Sequence, residues 1–205
     1  QQTSMSTSTT AQGFAYSREQ FQALVEDVLQ IARNVGASDA AVEVSEGSGL
    51  SVSIRKGELE HVERNRDKSL GVTVFVGQCR GNASSSDFSR PALQQTVQAA
   101  YDIARFTAAD PAAGLPDASD LASAEEAALD LDLFHPWAID AGEAAELAKR
   151  CEAAAFATDR RITNSEGAGV SAQHALVLVN AACRDSSRAM SVGPGRSEHE
   201  MTKAP

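Results

Sequence analysis

The sequence predicts an α+β protein: an antiparallel sheet of about five strands with two helices on one face, then a linker, a third helix and the start of a second sheet. Three observations carry that reading. Residues 49–87 alternate apolar and polar side chains, as strands with one buried face do. Residues 21–35 and 93–104 instead space apolar side chains three and four apart, as helices with one buried face do. Residues 110–132, DPAAGLPDASDLASAEEAALDLD, keep neither period and read as a linker or surface excursion.

Residues 1–15 begin QQTSMSTSTTAQG and are expected to be a disordered lead-in. They carry neither the basic nor the apolar region of a signal peptide. Residues 16–108 form the expected N-terminal α+β domain. Ser17 and Gln20 have capping-box spacing. Phe21, Leu24, Val25, Val28, Ile31, Ala32 and Val35 make the first helical stripe, and Gly36 ends it. Residues 40–45, AAVEVS, read as a short strand, with Glu46-Gly47-Ser48-Gly49 as the following turn. Leu50, Val52 and Ile54 then share one parity, and Lys56-Gly57 is a turn signal. Residues 59–67 form a charged strand whose Leu59 and Val62 fall on opposite parities, the mark of a bulge or an edge. Leu70, Val72, Val74 and Val76 give the cleanest alternation, and residues 77–80 turn the chain into a short strand at 81–86. Ser86, Asp87 and Ser89 offer caps and Pro91 suits a first turn. Leu93, Val97, Ala100, Ile103 and Ala104 make the second stripe, ending near Thr107.

Residues 109–136 are the linker, closed by His135-Pro136. Residues 137–180 open a second α+β region. Asp140 with Glu143 repeats the capping box, and Ala144, Leu147, Ala148, Cys151, Ala155 and Phe156 give the stripe of a helix ending at 159–161. Residues 162–165 read as a strand, 166–169 as a turn, and 174–179, HALVLV, as a final strand. Residues 181–205 change character. They keep no period, and no hairpin partner for the strand before them is expected, as in a truncated or frame-shifted reading frame.

Apolar residues make up 42% of the 205 and aromatic ones only 5%, so Val, Leu, Ala and Ile must fill the core. A net charge of −10 argues against a nucleic-acid or anionic membrane partner and for an acidic cytoplasmic protein. Cys79, Cys151 and Cys183 are widely spaced without a CxxC, which favours free thiols over a disulfide framework or a zinc knuckle. No run approaches the roughly 20 apolar residues of a membrane-spanning helix.

Five segments in order carry a resemblance: LSVSIRKGELEHVERN, LGVTVFVGQCRGNASSSD, YDIARFTAADPAAGLPD, LDLFHP and RITNSEG. Together they resemble the N-terminal part of the TldD/PmbA family of metallopeptidases, in its PmbA (TldE) branch, from about Phe21 to about Asn180. The resemblance implies a heterodimer with a TldD-type subunit that trims or degrades unfolded peptides. It implies that peptide enters a closed chamber as an extended strand and pairs with backbone edges. It also implies a zinc ion in the C-terminal half of the TldD-type partner, on a HExxxH-type helix, and no cofactor in this chain. Zinc hydrolysis needs about three protein ligands and a carboxylate. His199-Glu200 is followed only by Lys203 and Ala204 where a second ligand would stand, so no catalytic or metal-ligating residue is assigned.

The candidate contact residues lie on strand edges. Glu58, Glu60, His61 and Glu63 mark an edge suited to an extended peptide or a subunit, with His61 beside Glu63 a conceivable metal pair on an otherwise solvated strand. The resemblance adds Asn82 and Ser84, in NASSSD, as an edge meeting other subunit surfaces. His135 and His174 read as a turn and a strand-end histidine, Glu166-Gly167-Ala168-Gly169 as a turn rather than a nucleotide loop. A reading from another class is a stand-alone peptide-binding module using the edge at 58–67 without an enzyme partner.

Overall fold

Alternation in the first strand does not stop where the glycines begin. In the computed structural model, which describes residues 14–117, 120, 133–183, 189–192 and 196–200 (backbone only from Ala182 onward), β1 is a single strand, Asp39–Arg55. The expected turn at 46–49 is therefore strand. Ala40, Val42, Val44, Glu46, Leu50, Val52 and Ile54 share one parity and all are buried, so one face stays inward through the whole run. Gly49 is needed for lateral room rather than for a turn: a Cβ there would strike the side chains of Asn65 and Gln173.

The next two expected strands also fuse. β2 runs Glu58–Val76, because neither Gly nor Pro separates the charged half from the apolar half. β3, Cys79–Ser85, returns antiparallel, from Val76 opposite Cys79 to Leu70 opposite Ser85. The region expected to hold about five strands thus holds three long ones. β4, Ala168–Cys183, lies next to β1 in the same sheet, so no second sheet begins. The strand expected at 162–165 is a loop. A hairpin partner does follow β4: β5, Ala189–Val192, and β6, Arg196–Glu200, both pair with it antiparallel. The strand order is β3-β2-β1-β4-β5, with β6 also on β4. The α+β class holds. The expected disordered lead-in (apart from Phe14 and Ala15), residues 118, 119 and 121–132 of the linker, and the side chains of Cys183 and His199 lie outside the described residues.

α1 and α3 follow their capping signals, whereas the N-cap of α2, Ser89, makes no side-chain capping bond. α1, Arg18–Val35, starts at Ser17, whose hydroxyl accepts from the Gln20 N–H while the Gln20 side chain accepts from the Ser17 N–H. Gly36 closes it at φ 99°. α2, Arg90–Phe106, carries Pro91 in its first turn. α3, Ala141–Thr158, repeats the capping box with Asp140 and Glu143. The stripes shift slightly from expectation. Leu29 and Thr96 are buried, while Ile103 is 48% exposed. In α3, Ala145 and Glu152 face inward and Ala155 does not.

The chain divides into two compact units that are interleaved in sequence, because β1, β2 and β4 each run on from one into the other. The first comprises Gln1–Glu46, Lys68–Asp130 and Val177–Pro194; the second comprises Gly47–Asp67, Leu131–Leu176 and Gly195–Pro205. In the first, α1 packs on α2 and α2 on β3. Gly81 permits that approach, since a Cβ would meet the Ala100 carbonyl and the Ala104 nitrogen. In the second, Leu50, Val52, Ile54, Ala168 and Val170 pack against Ala144, Ala145 and Ala148, with Trp137 and Ile139 at the margin.

Candidate functional site

The two groups of candidate contact residues fall in different units. Glu58, Glu60, His61 and Glu63 belong to the second unit. Lys56 (φ 52°) and Gly57 (φ 77°) are both left-handed, as a type I′ hairpin turn requires. That conformation costs a non-glycine residue about 1 kcal/mol. Glu152, buried on α3, offsets the cost: one oxygen accepts the Lys56 N–H at 2.8 Å and the other the Gly57 N–H at 2.7 Å. Burial pushes the Glu152 carboxyl up, but the N–H groups of Gly57 and Lys56, the Ser165 hydroxyl and nearby Arg55 outweigh it and hold it below the ordinary glutamate value.

Beyond that turn, residues 58–69 are exposed on both faces. Leu59 is 55% and Val62 41% exposed, unusual for apolar strand residues. β3 pairs with β2 only over 70–76, and among the described residues no strand pairs residues 58–69 on that side. Residues 58–69 thus form a charged strand segment that β3 does not pair. His61 Nε2 and Glu63 Oε2 stand 3.4 Å apart, both on the surface. Among the described residues no three His, Cys, Asp or Glu side chains come together as a metal site. Two exposed donors do not make the three-ligand set that a zinc ion needs.

Asn82 and Ser84 belong to the first unit. They lie opposite Thr73 and Gly71 on β3 and are exposed. With Glu43, Ser45, Gly71 and Thr73 they line a shallow cleft of about 430 Å³ whose surface is mixed polar and apolar. Small and polar residues on the outward parity leave this space unfilled.

Two features escaped the sequence reading. Glu46, only 2% exposed, accepts the Ala15 N–H at 2.9 Å and the Tyr16 N–H at 3.1 Å, tying the chain before α1 to β1. Lys68 Nζ lies 5.4 Å from the Tyr16 ring centroid and 4.8 Å from that of Phe88, and donates to the Tyr16 hydroxyl at 3.2 Å. Asp87, beside them, has its carboxyl lowered by the Ser89 N–H above all. Both features tie segments of the first unit together. His135 is exposed, and the His174 ring meets Phe134 edge-on at 6.3 Å. Cys79 and Cys151 are free thiols.

Residues 40–104, which span β1, β2, β3 and most of α2, match the family described as PmbA/TldA metallopeptidase domain 1. The Metalloprotease PmbA of Escherichia coli O157:H7 is 47% identical over 160 residues, covering 78% of this chain and 34% of that protein.

The chain belongs to the TldD/PmbA family.

A Metalloprotease PmbA homolog of Haemophilus influenzae is 44% identical over 150 residues, covering 73% of this chain and 32% of that protein. The chain thus spans about a third of the length of the curated relatives it matches. Two crystal structures share the fold. One is a proposed modulator of DNA gyrase from Bacteroides thetaiotaomicron, with TM-score 0.64, 19% identity, and 85% of this chain covered against 39% of that one. The other is TldE from Thermococcus kodakarensis, with TM-score 0.56, 12% identity, and 87% covered against 42%. Proteolysis is the activity attached to the TldD/PmbA family. No helix among the described residues is long and apolar enough to cross a membrane.

Proposed function

We propose that this chain is the N-terminal part of a PmbA-type subunit in a cytoplasmic zinc peptidase complex that processes or degrades unfolded peptides. Its role is structural and recognitive. It helps to wall the substrate chamber and binds a TldD-type subunit, and that subunit carries the zinc. The observation behind this reading is the 47% identity to a Metalloprotease PmbA over most of the chain. The strand edge bearing Glu58, Glu60, His61 and Glu63, and the cleft bearing Asn82 and Ser84, are the surfaces proposed to meet extended peptide or subunit. Exposed strand edges accept such segments through backbone hydrogen bonds.

The test is a titration of this chain against a TldD-type subunit. Mass in solution, zinc content and hydrolysis of an unstructured peptide are read on the same samples. A zinc-free chain that forms a hetero-complex and changes its hydrolysis supports the proposal. Zinc-dependent hydrolysis by this chain alone sinks it. A second reading, a stand-alone peptide-binding module, is favoured by the uncovered strand at 58–69. It predicts peptide binding with no response to the TldD-type subunit.

A further inference from the structure

The two exposed apolar residues of the charged strand, Leu59 and Val62, fall on opposite parities, and the register of the hairpin accounts for them. Residues directly opposite on antiparallel neighbours share a face. At the turn the pairing is set by loop length. Lys56-Gly57 is a two-residue loop between β1 and β2, so Arg55 stands opposite Glu58. Farther along these neighbouring strands, Gly49 stands beside Asn65. A Cβ on Gly49 would strike the Asn65 side chain, and residues 48–50 and 64–66 border one cavity. β1 takes six steps from Arg55 to Gly49, whereas β2 takes seven from Glu58 to Asn65. Between these two pairs β2 has one residue more than its partner. We infer that β2 carries a one-residue bulge at Glu60-His61, opposite Ser53, and that Glu152 enforces it by fixing the length of the turn.

The apolar residues place the bulge. On its turn side Leu59 stands opposite Ile54, and on its far side Val62 stands opposite Val52. One extra residue between them sets both on the face of Ile54 and Val52, which are buried. In a bulge two residues oppose one, so Glu60 and His61 share Ser53. Glu58, Glu60, His61 and Glu63 then occupy the other face, where Glu58 is opposite Arg55 and His61 Nε2 lies 3.4 Å from Glu63 Oε2. A ladder without the bulge would send Leu59 and Val62 to opposite faces.

A turn one residue longer, over 56–58, would set Arg55 opposite Leu59 and run in phase with Gly49 and Asn65, with no bulge. The common three-residue loop keeps its first two residues right-handed and needs a left-handed third. It would relax Lys56 and force Glu58 into the left-handed region instead. Glu152 selects the shorter turn, because its two oxygens hold the N–H groups of Lys56 and Gly57 at 2.8 and 2.7 Å. A second grip lies beside it. Arg55 Nε donates to the Ser165 carbonyl at 3.3 Å, and Gly167 lets that loop rest on β1, since a Cβ there would come within 2.6 Å of the Ile54 carbonyl. All these contacts lie inside the second unit. The bulge belongs to this chain's own register and stands whether or not Glu58, Glu60, His61 and Glu63 meet peptide or subunit.

The test is NMR of the full chain, with deletions read by chemical denaturation. Cross-strand Hα–Hα contacts are expected between Ile54 and Leu59 and between Val52 and Val62. A contact of Ile54 with Glu60, or of Val52 with His61, overturns the inference, because the slip is then absent or lies elsewhere. In Glu152→Ala the Ile54–Leu59 contact is expected to disappear while the Val52–Val62 contact stays. Adding Lys56→Asn is expected to restore it, because Asn-Gly takes the two-residue turn unaided. A Glu152→Ala chain that keeps the Ile54–Leu59 contact at full strength overturns the role of Glu152. Should that variant fail to fold, deletions decide. Deleting His61 removes the extra residue and is expected to leave cooperative unfolding at a midpoint no lower than that of wild type. Deleting Ser51 sets Leu50 out of phase with Val52 and Ile54 and is expected to abolish that transition. A His61 deletion as damaging as the Ser51 deletion overturns the bulge.

Discussion

The two units bury a sheet face with different means. The first uses large side chains from two helices: Phe21, Leu29 and Ile31 of α1, Leu93 and Val97 of α2. The second uses alanines from one helix, Ala144, Ala145 and Ala148, against Leu50, Val52, Ile54 and Val170. Alanine contributes little apolar area, so the second unit draws less stabilisation from its helix. Each unit also contains one buried glutamate that accepts backbone N–H groups: Glu46 ties the chain before α1 to β1, and Glu152 ties the β1–β2 turn to α3. In the first unit that tie supplements a large core. In the second it stands on the helix stripe itself, where an apolar residue would otherwise be expected. The comparison shows that a thin apolar interface leaves a larger share of the stability to polar contacts.

Variants can break this contrast in graded steps. Phe21→Ala removes a fully buried ring from the first unit and is expected to cost about 4 kcal/mol in chemical denaturation, with faster exchange in β1 at Val42 and Val44. Gly81→Val drives a side chain into the α2 backbone and is expected to cost about 3 kcal/mol, since neither Ala100 nor Ala104 can yield without displacing the helix. Glu152→Ala is expected to cost about 2 kcal/mol, because two turn N–H groups lose their acceptor. A loss in Glu152→Ala as small as that of a surface substitution would show that the second unit does not depend on its polar tie.

The same carboxyl sharpens the comparison through pH. Its folded-state pKa lies below the ordinary value. Its contribution is therefore complete above the unfolded value of about 4.3 and is lost as pH falls through the folded pKa. Denaturation midpoints of wild type and Glu152→Gln, followed from neutral pH downward, are expected to converge in that acid range. Parallel curves would show that the carboxylate charge contributes nothing. The smallest effects belong to the helix caps: Ser17→Ala and Asp140→Ala are each expected to cost about 1 kcal/mol by thermal denaturation.

Local chemistry was legible where a residue's partner lies within a few positions. Both capping boxes, the Gly36 terminus and the Lys56-Gly57 turn are of this kind. The exposed charged strand was legible too, because its composition resists burial on either face. Glu46-Gly47-Ser48-Gly49 misled because glycine signals both a turn and a crowded strand. Only the side chains of Asn65 and Gln173, brought beside Gly49 by the fold, distinguish the two.

The sequence by itself determined the helices, the capping boxes of α1 and α3, the buried parity of Leu50, Val52 and Ile54 and of Leu70, Val72 and Val74, and membership of the TldD/PmbA family, since period, cap and motif are all properties of neighbouring residues. The tertiary structure alone decided that β4 extends the first sheet instead of beginning another, and that Glu46 and Glu152 lie inside. The physical reason is the distance along the chain. Glu152 is kept ionised and buried by N–H groups 95 and 96 positions away, and no local pattern in a helix reveals a donor that only folding brings within reach.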